Sequence, residues 1–242
     1  MARREVRLVV FAPSHFCERA RWALDHTGVI YREVRWAPGP HALLAKRLGT
    51  GTSLPILDTG TDVIQGSGRI LDWTGIRGHD PDLEGRFTRW IGPLVRRYLY
   101  SALLHDPSSN LREVQFDGVS RPQALIGRLL WPLTRQRMIR AMEAQADAHP
   151  GLERQVEAAL DWFDAQVVGR HYLVGGRFGR ADITAASLLA PLARPAACPV
   201  YQQIRLPFAV EDALRGWQKR RSLLWVERMY TKHRYSDKQA SF

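Results

Sequence analysis

Residues 5–28 read EVRLVVFAPSHFCERARWALDHTG, a strand-to-helix passage that decides the fold. Val6, Leu8 and Val10 alternate on one side while Val9 and Phe11 on the other are apolar too, the pattern of a strand covered on both faces. Pro13 and Ser14 break the run. Phe16, Ala20, Ala23, Leu24 and Thr27 then recur at helical spacing until Gly28, the favoured residue just past a helix end, so a helix is expected from His15 to Thr27. Ser14 takes its N-cap. A helix start also gathers unpaired N–H groups at the positive end of the dipole, so the hydroxyl of Ser14 and the N–H groups of Phe16 and Cys17 share a place suited to an anion such as a thiolate. Capping alone accounts for the serine equally well.

Working outward, Ile30 to Val34 reads as a second strand. Pro55 to Leu57 and Val63-Ile64, on either side of Asp58-Thr59-Gly60, read as a tight hairpin, and a short helix follows from Ser67 to Trp73. Beyond His79-Asp80-Pro81 the strand signals end. Helical periodicities follow over Leu83 to Leu104, Pro122 to Ala146, Leu152 to Val168, Ala181 to Leu192, Pro207 to Arg220 and Leu224 to Tyr230. The expectation is an α/β domain over residues 1–77, then an all-helical domain over 83–242, with no internal repeat.

The stretch FAPSHFCERARWAL, residues 11–24, resembles the first strand-to-helix segment of the glutathione transferases, in particular the tau and omega classes. Three further segments match in the same order. Ser53-Leu54-Pro55-Ile56-Leu57 is similar to the family's cis-proline segment, Gln65-Gly66-Ser67 to its Glu/Gln-Ser segment, and LVGGRFGRADI, residues 173–183, to the folding motif of its helical half. The resemblance implies a thioredoxin-like first domain, an all-helical second one, glutathione as co-substrate and a homodimer. It places Ser14 at the catalytic position, with Phe11 where other classes carry a tyrosine, and it makes Phe16, Leu54, Pro55, Gln65, Gly66 and Ser67 the glutathione-binding residues. A cis bond before Pro55 turns the backbone N–H and C=O of Leu54 outward, where an extended peptide pairs with them like an added strand. Ser67 is expected to cap its helix and receive the γ-glutamyl carboxylate.

Two positions depart from the family pattern. Gly66 stands where an acidic or amide side chain grips the tripeptide's amino group, and Gln65 reaches in only with a rearranged loop. Gly179 replaces the usual Ser or Thr cap of the folding motif, which leaves half a capping box: Asp182 reaching back, with Phe178 and Ile183 as a hydrophobic staple. Asp182 is therefore read as a stability residue worth about 1 kcal/mol.

Composition bounds the rest. The chain of 242 residues carries 35 basic and 24 acidic side chains, a net +11, of which residues 1–80 hold 11 basic and 8 acidic. The surplus falls in helical patterns with no zinc-finger, helix-turn-helix or RNA-binding signature, so neither nucleic acid nor membrane is expected as a partner. A charged start and interrupted apolar runs read as cytosolic. Cys17 and Cys198 have no disulfide framework or metal spacing; Cys17 is read as packing inward, with a glutathione-dependent redox role as the alternative. Arg97, Tyr98 and Ser101 are candidates for a second-substrate pocket, with core packing the plainer reading of Tyr98. The leading functional expectation is conjugation or reduction of a small electrophile by glutathione; a non-catalytic binding protein of the same fold is the alternative.

Overall fold

The computed structural model describes residues 5–234. In chain order the elements are β1 (Arg7–Val10), α1 (His15–His26), β2 (Arg32–Arg35), α2 (His41–Arg47), β3 (Ile56–Asp58), β4 (Val63–Gln65), α3 (Ser67–Thr74), α4 (Pro81–Arg86), a π turn (Phe87–Ile91), α5 (Gly92–Leu103), α6 (Leu111–Gln115), α7 (Arg121–Leu129), α8 (Trp131–Ala141), a 3-10 turn (Ala146–Ala148), α9 (His149–Val167), α10 (Arg180–Ala193), α11 (Pro199–Gln203), α12 (Phe208–Trp217) and α13 (Arg221–His233). They form two compact units. One comprises Met1–Ile76 with Leu111–Arg137, the other Arg77–Asn110 with Met138–Phe242.

In the first unit the strands run in the order β2-β1-β3-β4, with β1 and β2 parallel and the other pairs antiparallel. Both faces of β1 are covered, as its unbroken apolar run requires. Leu8 and Val10 pack with Leu57 against Cys17, Ala20 and Leu24 of α1 and Ile70 of α3, while Val9 and Ile56 pack on the other side against Trp36 and Ala45. The register sets Val9 opposite Ile56 and Ile56 opposite Gln65, so the carboxyl ends of β1 and β4 and the start of β3 lie along one end of the sheet. Residues 111–137, which fall within the stretch read as all-helical, pack with this unit: Arg35 donates to the Asp117 carboxylate at 2.6 Å, and a Cβ at Gly127 would meet the Phe116 ring at 2.4 Å. The single helix expected over Pro122 to Ala146 is broken at Leu130 and ends at Ala141.

In the second unit the helix expected over Leu83 to Leu104 is interrupted by the π turn at 87–91. Pro93 supplies the reason: it has no N–H for the carbonyl of Arg89 and its ring crowds that carbonyl, so the turn widens. α10 is buried along its whole length and packs on α13. Phe163 lies edge-on to both Phe87 and Trp225, filling the space around α9.

The start of α10 is capped by backbone rather than by a hydroxyl. The N–H groups of Arg180 and Ala181 donate to the carbonyls of Arg77 and Gly78 at 2.8 and 3.1 Å. A Cβ at Gly179 would stand 2.6 Å from the Arg77 carbonyl oxygen, so the close approach of segment 77–78 explains glycine at the cap. Asp182, 1% exposed, accepts from the N–H of Gly179 at 2.9 Å, the half box expected, and also from the N–H of Leu173 at 2.8 Å.

Candidate functional site

Three chain segments meet at the sheet end described above. Ser14 follows β1 and caps α1 in extended conformation, its Oγ accepting from the Cys17 N–H at 3.3 Å and its carbonyl from Glu18 at 2.9 Å. The Ser14 hydroxyl is also a hydrogen-bond partner of the Cys17 thiol, and the N–H of Phe16 lies in the same first turn of α1. Leu54-Pro55 precedes β3, and its peptide bond is cis, as the resemblance implied. No hydrogen-bond partner for the backbone N–H or C=O of Leu54 occurs among the described residues. Gly66 and Ser67 follow β4, held to the proline by the Gly66 N–H donating to the Pro55 carbonyl at 2.9 Å.

Ser67 corrects one expectation. Gly66 takes the N-cap position of α3 and Ser67 is the first helical residue, so the serine hydroxyl caps nothing. Gly66 sits at φ 95 and ψ 136, a conformation open in practice only to glycine, which is the physical reason a side chain is missing there. The Ser67 Oγ accepts instead from Nε and Nη2 of Arg19 at 3.0 and 2.6 Å. Both side chains are buried, so a guanidinium charge stands beside the first N–H groups of α3. Arg19 also lies 5.8 Å from the centre of the Phe16 ring. In the sequence Arg19 stands within the motif of residues 11–24, where its signal is an arginine on the apolar face of α1.

Gln65 is committed elsewhere. Its Nε2 donates to the carbonyls of Gly51 and Ser53 at 2.7 and 2.8 Å, and its Oε1 accepts from the Gly51 N–H at 3.0 Å. These three bonds hold the segment leading into Leu54-Pro55. Gln65 therefore shapes the site from behind, and neither it nor Gly66 offers a side chain to an amino group.

Cys17 is fully buried among Leu8, Val10, Ala20 and Leu24. Burial pushes its thiol above the usual range, against the opposing pull of the Arg21 charge and a hydrogen bond from Ser14. Arg21 in turn is held charged: burial opposes this, but Glu33 at 2.6 Å and Glu18 at 3.6 Å outweigh it. A buried thiol of raised pKa is a poor nucleophile. We expect native protein to resist alkylation at Cys17 by iodoacetamide and urea-unfolded protein to react fully, read by peptide mass; rapid labelling of Cys17 in the native state would restore the redox alternative.

The three residues suggested for a second pocket are tied up within the second unit. Tyr98 is fully buried, stacks on His149 at 4.7 Å and donates to Glu153 at 3.2 Å. Ser101 donates to the Tyr98 carbonyl at 2.8 Å and also contacts His149, and Arg97 pairs with Glu143 at 3.0 Å. Tyr98 and Ser101 belong to a polar cluster in the core, as the plainer reading of Tyr98 had it.

Residues 8–77 match the glutathione S-transferase N-terminal domain model, and residues 124–204 match the glutathione S-transferase C-terminal domain model. The chain belongs to the glutathione S-transferase family. No curated protein matches this family member's sequence. Its fold is similar to glutathione transferase GSTFuA3 from Phanerochaete chrysosporium, at 14% identity and TM-score 0.63 with 98% of this chain and 100% of that one covered. It is likewise similar to the glutathione S-transferase CsGST63524 of Ceriporiopsis subvermispora in complex with glutathione, at 12% identity, TM-score 0.63 and coverage of 97% and 100%. Glutaredoxin 2 from Salmonella typhimurium in complex with glutathione aligns at 18% identity and TM-score 0.54, covering 93% and 98%. The transferase fold therefore carries a mixed four-stranded domain followed by a helical one. No helix among the described residues is long and apolar enough to cross a membrane.

Proposed function

We propose that this transferase-family chain binds glutathione at the sheet end and acts as a Ser-type enzyme of tau/omega-like pattern, with Ser14 stabilising the sulfur as thiolate. The observation that carries the reading is the convergence of Ser14, Leu54-Pro55 and the Arg19–Ser67 pair at one end of one sheet. Those groups fit the tripeptide's chemistry. The unpaired backbone of Leu54 suits the cysteinyl main chain, and Ser67 with Arg19 and the first N–H groups of α3 suits a carboxylate. Glutathione supplies a sulfur nucleophile. Its thiol has a pKa near ~8.5 in water, and the positive N-terminal end of α1 with the Ser14 hydroxyl favours the anion. With an aryl halide, the thiol proton passes to solvent, the sulfur–carbon bond forms and the carbon–halogen bond breaks with halide leaving. The homodimer and the cytosolic setting implied by the family belong to the same proposal.

One observation favours the non-catalytic alternative. Gln65 is spent on the loop and Gly66 is bare, so the amino end of the tripeptide lacks a side-chain grip from this segment. Retention on immobilised glutathione with turnover of an aryl halide supports the enzyme. Retention without turnover supports a binding protein, and absence of retention overturns both.

A further inference from the structure

Helices α7 and α8 show a face that the transferase reading does not use. Their inward side is set by Gly127 and Thr134, seven residues apart: Gly127 is in contact range of Phe116 and Ala37, and Thr134 of Gly39. The opposite side is apolar and open. Leu125 is 63% exposed, Leu129 73% and Leu133 49%, with Ile126 and Leu130 beside them. Positions 125, 129 and 133 recur at four-residue spacing along a path continued by Thr134 N–H donating to the Leu130 carbonyl, so they line one stripe about 12 Å long.

The charge along this segment of sequence has one sign. Residues 118–142 contain five arginines and no aspartate or glutamate. Arg121 and Arg137 continue the same spacing at the two ends of the stripe and Arg128 flanks it; all are exposed, and none has an ion-pair partner among the described residues. Two such faces brought together would set arginines against arginines, which opposes a second copy. A nucleic acid would use the arginines and leave the leucines in water, because phosphate contacts give apolar side chains no partner.

From the exposed leucine stripe and the acid-free, arginine-bearing segment that carries it, we propose that this face lies on anionic lipid bilayers. Leucines entering the headgroup boundary with arginines on acidic headgroups is the arrangement of a helix lying in the interface plane. The short apolar runs that exclude a span do not bear on this, since lying on a surface needs one apolar stripe and no spanning length.

The test is co-sedimentation of the whole chain with vesicles of phosphatidylcholine alone and with about one third phosphatidylglycerol. Binding to the mixed vesicles only, weakening as salt rises, is expected. Leu125→Gln with Leu129→Gln should lower it about tenfold or more, and Arg121→Gln with Arg128→Gln by a similar factor, with unchanged thermal melting because these side chains are exposed. No binding to the anionic vesicles overturns the proposal, as does binding that neither pair of substitutions alters. Should the leucine pair instead turn a dimer into a monomer by light scattering, a second copy covers this face. Should duplex DNA bind with dependence on the arginines and not the leucines, the face takes nucleic acid. Either outcome overturns the lipid assignment, and none of them bears on glutathione turnover.

Discussion

Replacing Asp182 with alanine lowers the unfolding free energy by about 2–4 kcal/mol near pH 4, because two buried N–H groups, those of Gly179 and Leu173, lose their acceptor together. The half capping box alone supports only about 1 kcal/mol. The Leu173 bond roughly doubles it by tying residue 173 to the first turn of α10. Urea unfolding checks the value, and equal midpoints for the two proteins would show that the carboxylate contributes nothing. The same group has a pH signature. Burial pushes its carboxyl up to about 6 from 3.8, with the N–H bonds pulling the other way. The folded chain therefore holds this proton more tightly than the unfolded one, so the group's stabilising contribution is full below about 3.8 and is lost as pH rises through about 6. Asp182→Asn cannot ionise. Relative to it, wild type should lose up to about 3 kcal/mol between pH 4 and 7, measured by unfolding at each pH.

What the sequence made legible was what local pattern controls. β1, α1 and the hairpin follow from alternation, the Pro13-Ser14 break and Asp58-Thr59-Gly60, because each depends on neighbours within a few residues. Arg19 meeting Ser67 was not legible, since it joins positions 48 apart. Gln65 turning to Gly51 and Ser53 was hidden for the same reason. The packing of segment 111–137 was hidden for a different cause. Its apolar periodicity marks the outward stripe of Leu125, Leu129 and Leu133, while its packing side is made by a glycine and a threonine, residues that no hydrophobic pattern counts. Reading the apolar side as inward would place the helix the wrong way round.

Ser14→Ala should cut the rate of aryl-halide conjugation by tens of times or more at slightly acidic pH, while glutathione affinity stays within a few fold. The argument rests on what each contact holds. In the proposed site Leu54, Ser67 and Arg19 remain to bind the tripeptide, so the loss falls on the sulfur alone. Deleting one preorganised donor to an anion costs about 2.7–4 kcal/mol at the strong end, and less where the positive start of a helix shares the charge, as α1 would in the proposed site. The pKa of bound glutathione should rise with the loss, so the variant regains part of its rate at alkaline pH. Ser14 also accepts from the Cys17 N–H, and removing that cap costs about 1 kcal/mol of stability. Rate and melting must be measured together. Ser14→Thr, which keeps a hydroxyl, should restore both; the pH profile separates them, because a purely structural serine would leave the pH profile of Ser14→Ala unmoved. Cys17→Ala is the paired control: its sulfur is fully buried, so it should alter packing and leave the pH dependence of conjugation intact. If Cys17→Ala abolishes activity and Ser14→Ala does not, the nucleophile is activated by another route and the serine assignment falls.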